Sequence, residues 1–180
     1  MLEENLIKIY ETSFRENREM PALTDYFKGE TFSYYEMAKE IAKLHLFFKK
    51  AEIRRGDKIA LVGRNNPRWC ITYLATITYG AVIVPILQDF APADIVHIVN
   101  HSESRLLFVG DNYWDIIEED EIARIDAVLS LTDFHVIYER RGKSLGVYMR
   151  DMVKNYRAKY KRGFSADDIK YPDIPNLSLI

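Results

Sequence analysis

The sequence predicts an α/β fold: a largely parallel, doubly wound sheet with helices on both faces. Three observations point there. Residues Asp57 to Leu87 read as strand, capped helix, strand, and such βαβ units build parallel sheets with right-handed crossovers. Further short apolar runs follow at Arg105–Val109, Ala127–Leu131 and His135–Tyr138, with helical patterns between and after them. The chain has 180 residues, of which 48% are hydrophobic and 29% charged, which suits one domain with a sizeable core and excludes a mainly disordered chain.

In chain order, Glu3 to Arg18 reads as a first helix, with Leu6, Ile9, Tyr10 and Phe14 near helical spacing, ended by Pro21. Ala22–Phe27, Lys28-Gly29 and Glu30–Phe32 form a short hairpin pattern. Ser33-Tyr34-Tyr35-Glu36 is a capping box, flanked by a Phe32/Met37 hydrophobic staple. The stripe Tyr34, Met37, Ala38, Ile41, Ala42, His45 and Phe48 then carries a helix to about Ala51. His45 lies on that apolar face. With no acid or nucleophile at a suggestive spacing, it is read as a packed, hydrogen-bonded core histidine.

In the central unit, Asp57–Val62 is a buried strand and Gly63 lets the chain turn. Asn66 caps the helix, Pro67 takes its first position, and Gly80 stops it before the β-branched run Ala81–Ile86. Trp69 to Leu87 carries no charge, the length of a membrane span. Gly80 and Pro85 interrupt it, Thr72, Thr76 and Thr78 dilute it, and the stretch is read as core. Cys70, the one cysteine, sits in this helix as a small apolar side chain. A single cysteine excludes an intrachain disulfide and fits a reducing cytoplasm, the expected location, since MLEENLIKIY shows no signal core.

Beyond it, Pro92-Ala93-Asp94 opens a helix with Ile95, Ile98 and Val99 inward. Ser102 beside His101 points to a different face and makes no nucleophile–base pair. A short helix bears Tyr113, Trp114 and Ile117, and the acidic run Glu118–Glu121 is read as a solvated face because consecutive helical positions do not converge on one ion. Leu145–Tyr160 is amphipathic, with Leu145, Tyr148, Met149, Met152, Val153, Tyr156 and Tyr160 on one face. Its cations Arg150, Lys154, Arg157, Lys159, Lys161 and Arg162 are read as complementing the helix dipole. Ser165–Asn176 reads as loop and Leu177–Ile180 as the start of an apolar strand, so the chain is expected to be the N-terminal piece of a longer protein. The formal net charge of −2 implies no nucleic-acid partner.

Chemistry-bearing motifs are absent: Gly63 stands alone after its strand, and no P-loop, dinucleotide fingerprint, G-x-S-x-G, H-E-x-x-H or Cys/His cluster occurs. What remains is resemblance. Thr31–Glu40 (TFSYYEMAKE), Ile53–Trp69, Ile71–Leu87 (ITYLATITYGAVIVPIL), Ala91–Asp111 and Pro172–Ile180 stand in the order found at the start of AMP-forming acyl-CoA synthetases, of the adenylate-forming ligase superfamily. The first resembles the family's L-T-Y-x-E-L helix start, and the third its K-A-G-A-x-x-V-P turn. Asn100-His101-Ser102-Glu103 looks most like long-chain fatty acid–CoA ligases, while Ile86–Phe90 departs from the I-D-P of amino-acid activators.

The resemblance implies that residues 1–180 are the N-terminal part of an AMP-binding large domain, without the phosphate loop, the rest of that domain or the C-terminal domain. It implies a parent enzyme using ATP, magnesium and coenzyme A on a fatty acid. No residue of this sequence matches a catalytic, cofactor-binding or metal position of the family, so the chain alone is expected to be inactive and to hold no cofactor. Its cut sheet leads us to expect self-association. A stand-alone doubly wound binding or regulatory module, or an aryl- or amino-acid-activating ligase, remains an alternative.

Overall fold

The computed structural model describes residues 6–110, 113–117, 121–122 and 124–160; the side chains of Ile116 and of residues 156–160 are outside that description. The chain opens with α1 (Leu6–Glu16) and a hairpin of β1 (Pro21–Asp25) and β2 (Glu30–Ser33). The expected hairpin ran its first strand on to Phe27. Instead Asp25 stops it, because its carboxylate accepts from the Phe27 and Lys28 N–H groups at 3.0 Å and folds Tyr26–Gly29 into a turn. α2 (Tyr34–Lys50) begins at the capping box read from the sequence: Ser33 Oγ accepts from Glu36 N, and the Glu36 carboxylate accepts from Ser33 N at 2.9 Å.

The central sheet contains β3 (Lys58–Val62), β4 (Val82–Ile86), β5 (Leu106–Val109), β6 (Ala127–Ser130) and β7 (Val136–Glu139), in the spatial order β4-β3-β5-β6-β7. The first four run parallel, with Ile59 opposite both Ile83 and Leu106, and β7 closes one side antiparallel to β6. Between them lie α3 (Pro67–Tyr79), α4 (Pro92–His101) and a short 3-10 turn (Trp114–Ile116), and α5 (Leu145–Tyr160) follows. The short helix expected around Trp114 is thus one tight turn.

The pleat sorts the strand residues between two cores. Ile59, Leu61, Leu106, Phe108 and Leu129 face one side and meet α2, α3 and α5. Ala60, Val62, Leu107, Val109 and Val128 face the other and meet Ile95, Val96 and Val99 of α4. Chain order requires this. The path leaves β3 for β4 in one direction and then returns past β3 to β5, so right-handed crossovers put α3 and α4 on opposite faces. On the α2 face, Phe48 meets Phe108 edge-on at 6.2 Å and Phe108 meets Phe134 at 6.0 Å, one aromatic row under the helices.

The uncharged stretch Trp69–Leu87 is α3 plus β4, broken at Gly80 with φ 86°. Among the described residues no helix is long and apolar enough to cross a membrane. The expected loop Ser165–Asn176, the strand start Leu177–Ile180 and most of the acidic run Glu118–Glu121 lie outside the described residues.

Candidate functional site

Numbered along the chain, the five strands stand in the order 2-1-3-4-5, and the winding reverses between β3 and β5. In open α/β sheets the crevice outside the carboxyl ends at such a reversal is where ligands bind. Here it is floored by two glycines. Gly110 N–H donates to Val62 O at 2.8 Å, and a Cβ placed on Gly63 would lie 3.0 Å from Gly110 N and from Leu131 Cδ1. Gly63 also holds φ +152°, so the two loops meet backbone to backbone with no room for a side chain. Arg64 and Asn65 lie exposed on the rim. Asn66 Oδ1 accepts from Trp69 N at 2.9 Å and caps α3, whose first-turn dipole points into the same rim.

The first turn of α3 also carries Arg68. Its guanidinium donates to both carboxylate oxygens of Glu30, at 2.8 and 3.0 Å, and lies over the Phe32 ring at 5.3 Å. That hydrogen bonding holds the Glu30 carboxyl below its usual range. Asp133, after β6, sits within the field of the same arginine. Burial alone would raise its pKa, but the backbone N–H and ring of His135, with Arg68, outweigh it and hold Asp133 low. This rim therefore offers a close backbone contact and paired charges. It joins no nucleophile to a base, and among the described residues no three His, Cys, Asp or Glu side chains are placed to share a metal ion.

The opposite, amino-terminal end of the sheet has a depression of about 410 Å³ lined by Asp57, Lys58, Glu103, Arg105, Arg124, Asp126 and Arg140. Arg105 and Arg124 are paired with its acids. Arg105 Nη1 reaches Asp57 at 2.9 Å and the Glu52 carbonyl at 2.7 Å, while Nη2 reaches Asp126 and the Ala51 carbonyl. Arg124 pairs with Glu103. Burial disfavours the Arg105 charge, yet Asp126 and Asp57 outweigh it and keep the guanidinium firmly protonated. Arg105 ties the end of α2 to the starts of β3 and β6, a structural task that the sequence reading of Arg105–Val109 as a plain strand did not contain.

The other singled-out side chains fall into place. His45 is 1% exposed, and its Nε2 lies 2.9 Å from the Ala75 carbonyl and 3.0 Å from Thr78 Oγ1, the packed histidine expected. Cys70 is half-buried, and burial pushes its thiol pKa up, away from reactivity. Ser102 Oγ donates to Val99 O and contacts Ser104, turned away from His101. Of the cationic end of α5, Arg150 and Lys154 are exposed, and the side chains from Arg157 onward lie outside the described residues.

The sheet order and the reversal at the Gly63–Gly110 contact can be set beside known proteins. The family model described as "AMP-binding enzyme" matches residues 10–169, and the chain belongs to that family. Among curated relatives, it is 28% identical over 165 residues to 4-hydroxybutyrate–CoA ligase 2 of Metallosphaera sedula, covering 86% of this chain and 29% of that protein. It is 28% identical to long-chain-fatty-acid–CoA ligase 6 of Rattus norvegicus over 67% of this chain and 18% of the relative. A fatty acid–[acyl-carrier-protein] ligase of Streptomyces coeruleorubidus is 24% identical over 67% of this chain and 23% of the relative. Among solved structures, the anthranilate CoA ligase AuaEII superposes with a TM-score of 0.68 at 16% identity, covering 84% of this chain and 28% of that one. The chain thus spans under a third of the length of the relatives it matches. Those relatives are ligases acting on several kinds of acid.

Proposed function

We propose that this chain is the N-terminal scaffold of the large domain of an AMP-forming acid–thiol ligase. The observation that carries the reading is the family match over residues 10–169, together with the 2-1-3-4-5 sheet. In the parent reaction a substrate carboxylate oxygen attacks the α-phosphorus of ATP, the bond to the β-phosphate bridging oxygen breaks, and acyl-AMP and pyrophosphate result. The thiol sulfur of coenzyme A then attacks the acyl carbon, AMP leaves with the acyl C–O bonding pair, and the thiol proton is released. Magnesium, as the resemblance implies, would neutralise the ATP phosphates in the parent. The contribution of the described side chains is to hold the sheet rim against which the nucleotide-bearing half would sit. On this reading residues 1–180 supply none of the catalytic groups, and the parent works in the cytoplasm.

For the acid we propose a long-chain fatty acid. The support is the Asn100-His101-Ser102-Glu103 stretch and the fatty-acid ligases among the relatives, which also include ligases of short hydroxy acids and of carnitine. The test is to incubate the full-length protein with ATP, magnesium, coenzyme A and a graded panel of acids, and to identify thioesters by mass spectrometry. Long-chain acyl-CoA as the main product is expected. A short hydroxyacyl or aryl thioester would overturn the long-chain reading while leaving the ligase class intact.

A further inference from the structure

α4 buries Ile95 and Val99, at 0% and 1% exposure, against the sheet, which fixes its opposite face toward solvent. On that face stand His97 and His101, both exposed and one helical turn apart. Their rings lie side by side, with centroids 5.7 Å apart and planes within 13° of parallel. The chain's other histidines are engaged elsewhere: His45 is sealed in the core, and His135 Nδ1 pairs with Asp133. Among the described residues neither ring of the α4 pair has a hydrogen-bond or ion-pair partner. The helix beneath is held at its end by Asn100, whose Nδ2 donates to the Glu121 carbonyl at 2.7 Å.

We propose that His97 and His101 chelate a borderline divalent cation, Zn²⁺, Ni²⁺ or Cu²⁺, through one ring nitrogen each. The i, i+4 spacing is the one by which two histidines of a zinc-binding helix reach a single ion. Imidazole suits these metals, with metal–nitrogen distances of about 2.0–2.1 Å, and exposed rings are free to turn from parallel to convergent. Between them stand Ile98, Val99 and Asn100. None of these is the general base that stands between the two histidines of a hydrolytic zinc helix, and binding alone is proposed. Two protein ligands are fewer than the three or four of resident zinc sites, and water fills the remaining positions. The bound ion is therefore exchangeable. It clips one turn of α4, and because it binds the folded helix face it raises stability by linkage.

The test uses the untagged 180-residue chain stripped with chelator. Cu²⁺ is titrated and followed by electron paramagnetic resonance, and melting is recorded with and without Zn²⁺. One equivalent of copper with nitrogen ligation is expected, together with a higher Tm in zinc that chelator reverses. His97→Gln and His101→Gln should each weaken binding by ~10-fold or more, the loss that even a supporting residue of a metal site causes. Both side chains are exposed, so the variants should keep the parent's Tm in chelator. His135→Gln should leave binding unchanged. Absence of binding, or binding that follows His135→Gln or Cys70→Ser and ignores the α4 pair, overturns the proposal.

Discussion

A buried histidine and a half-buried arginine govern how this molecule responds to pH and to mutation. His45 is enclosed by Phe48 and Tyr79, and its Nδ1 has no partner. Burial lowers its pKa to about 4 from 6.5, with the Ala75 carbonyl opposing only in part. The unfolded chain therefore takes up a proton near pH 6.5, while the folded chain resists until near 4. Protons favour the unfolded state in that window, so stability falls as pH drops from about 6.5 toward 4, by about 3 kcal/mol in all. Urea unfolding at pH 7 and pH 4.5 should show this loss, and His45→Gln should flatten it; an equal slope in the variant would contradict the assignment. Arg105 is the second. Its removal leaves Asp126, whose side chain is 8% exposed, charged and unpaired. Arg105→Ala should cost about 2–3 kcal/mol, below the ~3–5 of a fully buried pair because the arginine is 27% exposed. Arg105→Lys should recover little, since one ammonium cannot span two carboxylates and two carbonyls.

At the scale of elements, helix starts were legible because capping is local chemistry. Ser33-x-x-Glu36 and Asn66-Pro67 place α2 and α3 without any tertiary knowledge, and the structure forms both caps. Ser33→Ala should cost about 1 kcal/mol in chemical denaturation, and no change would mean that packing of Phe32 and Met37 alone sets that start. Strand ends and pairing partners were less legible. Nothing local told that β7 would run antiparallel, since that depends on distant neighbours. The Asp25 turn that ends β1, by contrast, is local chemistry that the strand pattern through Phe27 passed over. Gly63 read only as a turn, although the decisive fact is its contact with Gly110, forty-seven positions on in the chain (110 − 63). Gly63→Ala must push Gly110 or Leu131 aside and should destabilise by about 1–3 kcal/mol. A wild-type Tm for that variant would show the two loops to be loosely apposed. The Glu30–Arg68 and Arg105 ion-pair clusters were invisible for the same reason: each joins segments far apart in sequence.

For the whole molecule, the doubly wound class was legible as soon as the βαβ unit and the later apolar runs were seen, while the strand order came only with the structure. The chemistry was not legible: no catalytic motif could be read from the residues, and on the reading proposed above the catalytic groups belong to the rest of the parent enzyme. β4 closes its side of the described sheet, and Val82 at its start and Leu87 just after it are 47% and 67% exposed. We expect the chain alone to associate through this edge, giving a mass above the monomer in light scattering at high concentration; a monomeric mass would speak against it. On the function proposed above, this chain is the supporting part of an acid-adenylating enzyme. Acid-dependent exchange of labelled pyrophosphate into ATP tests it most directly, run in parallel on the full-length protein and on residues 1–180. The account predicts exchange by the full-length protein and none by residues 1–180; exchange by the 180 residues alone, or none by the full-length protein with any acid, would contradict it.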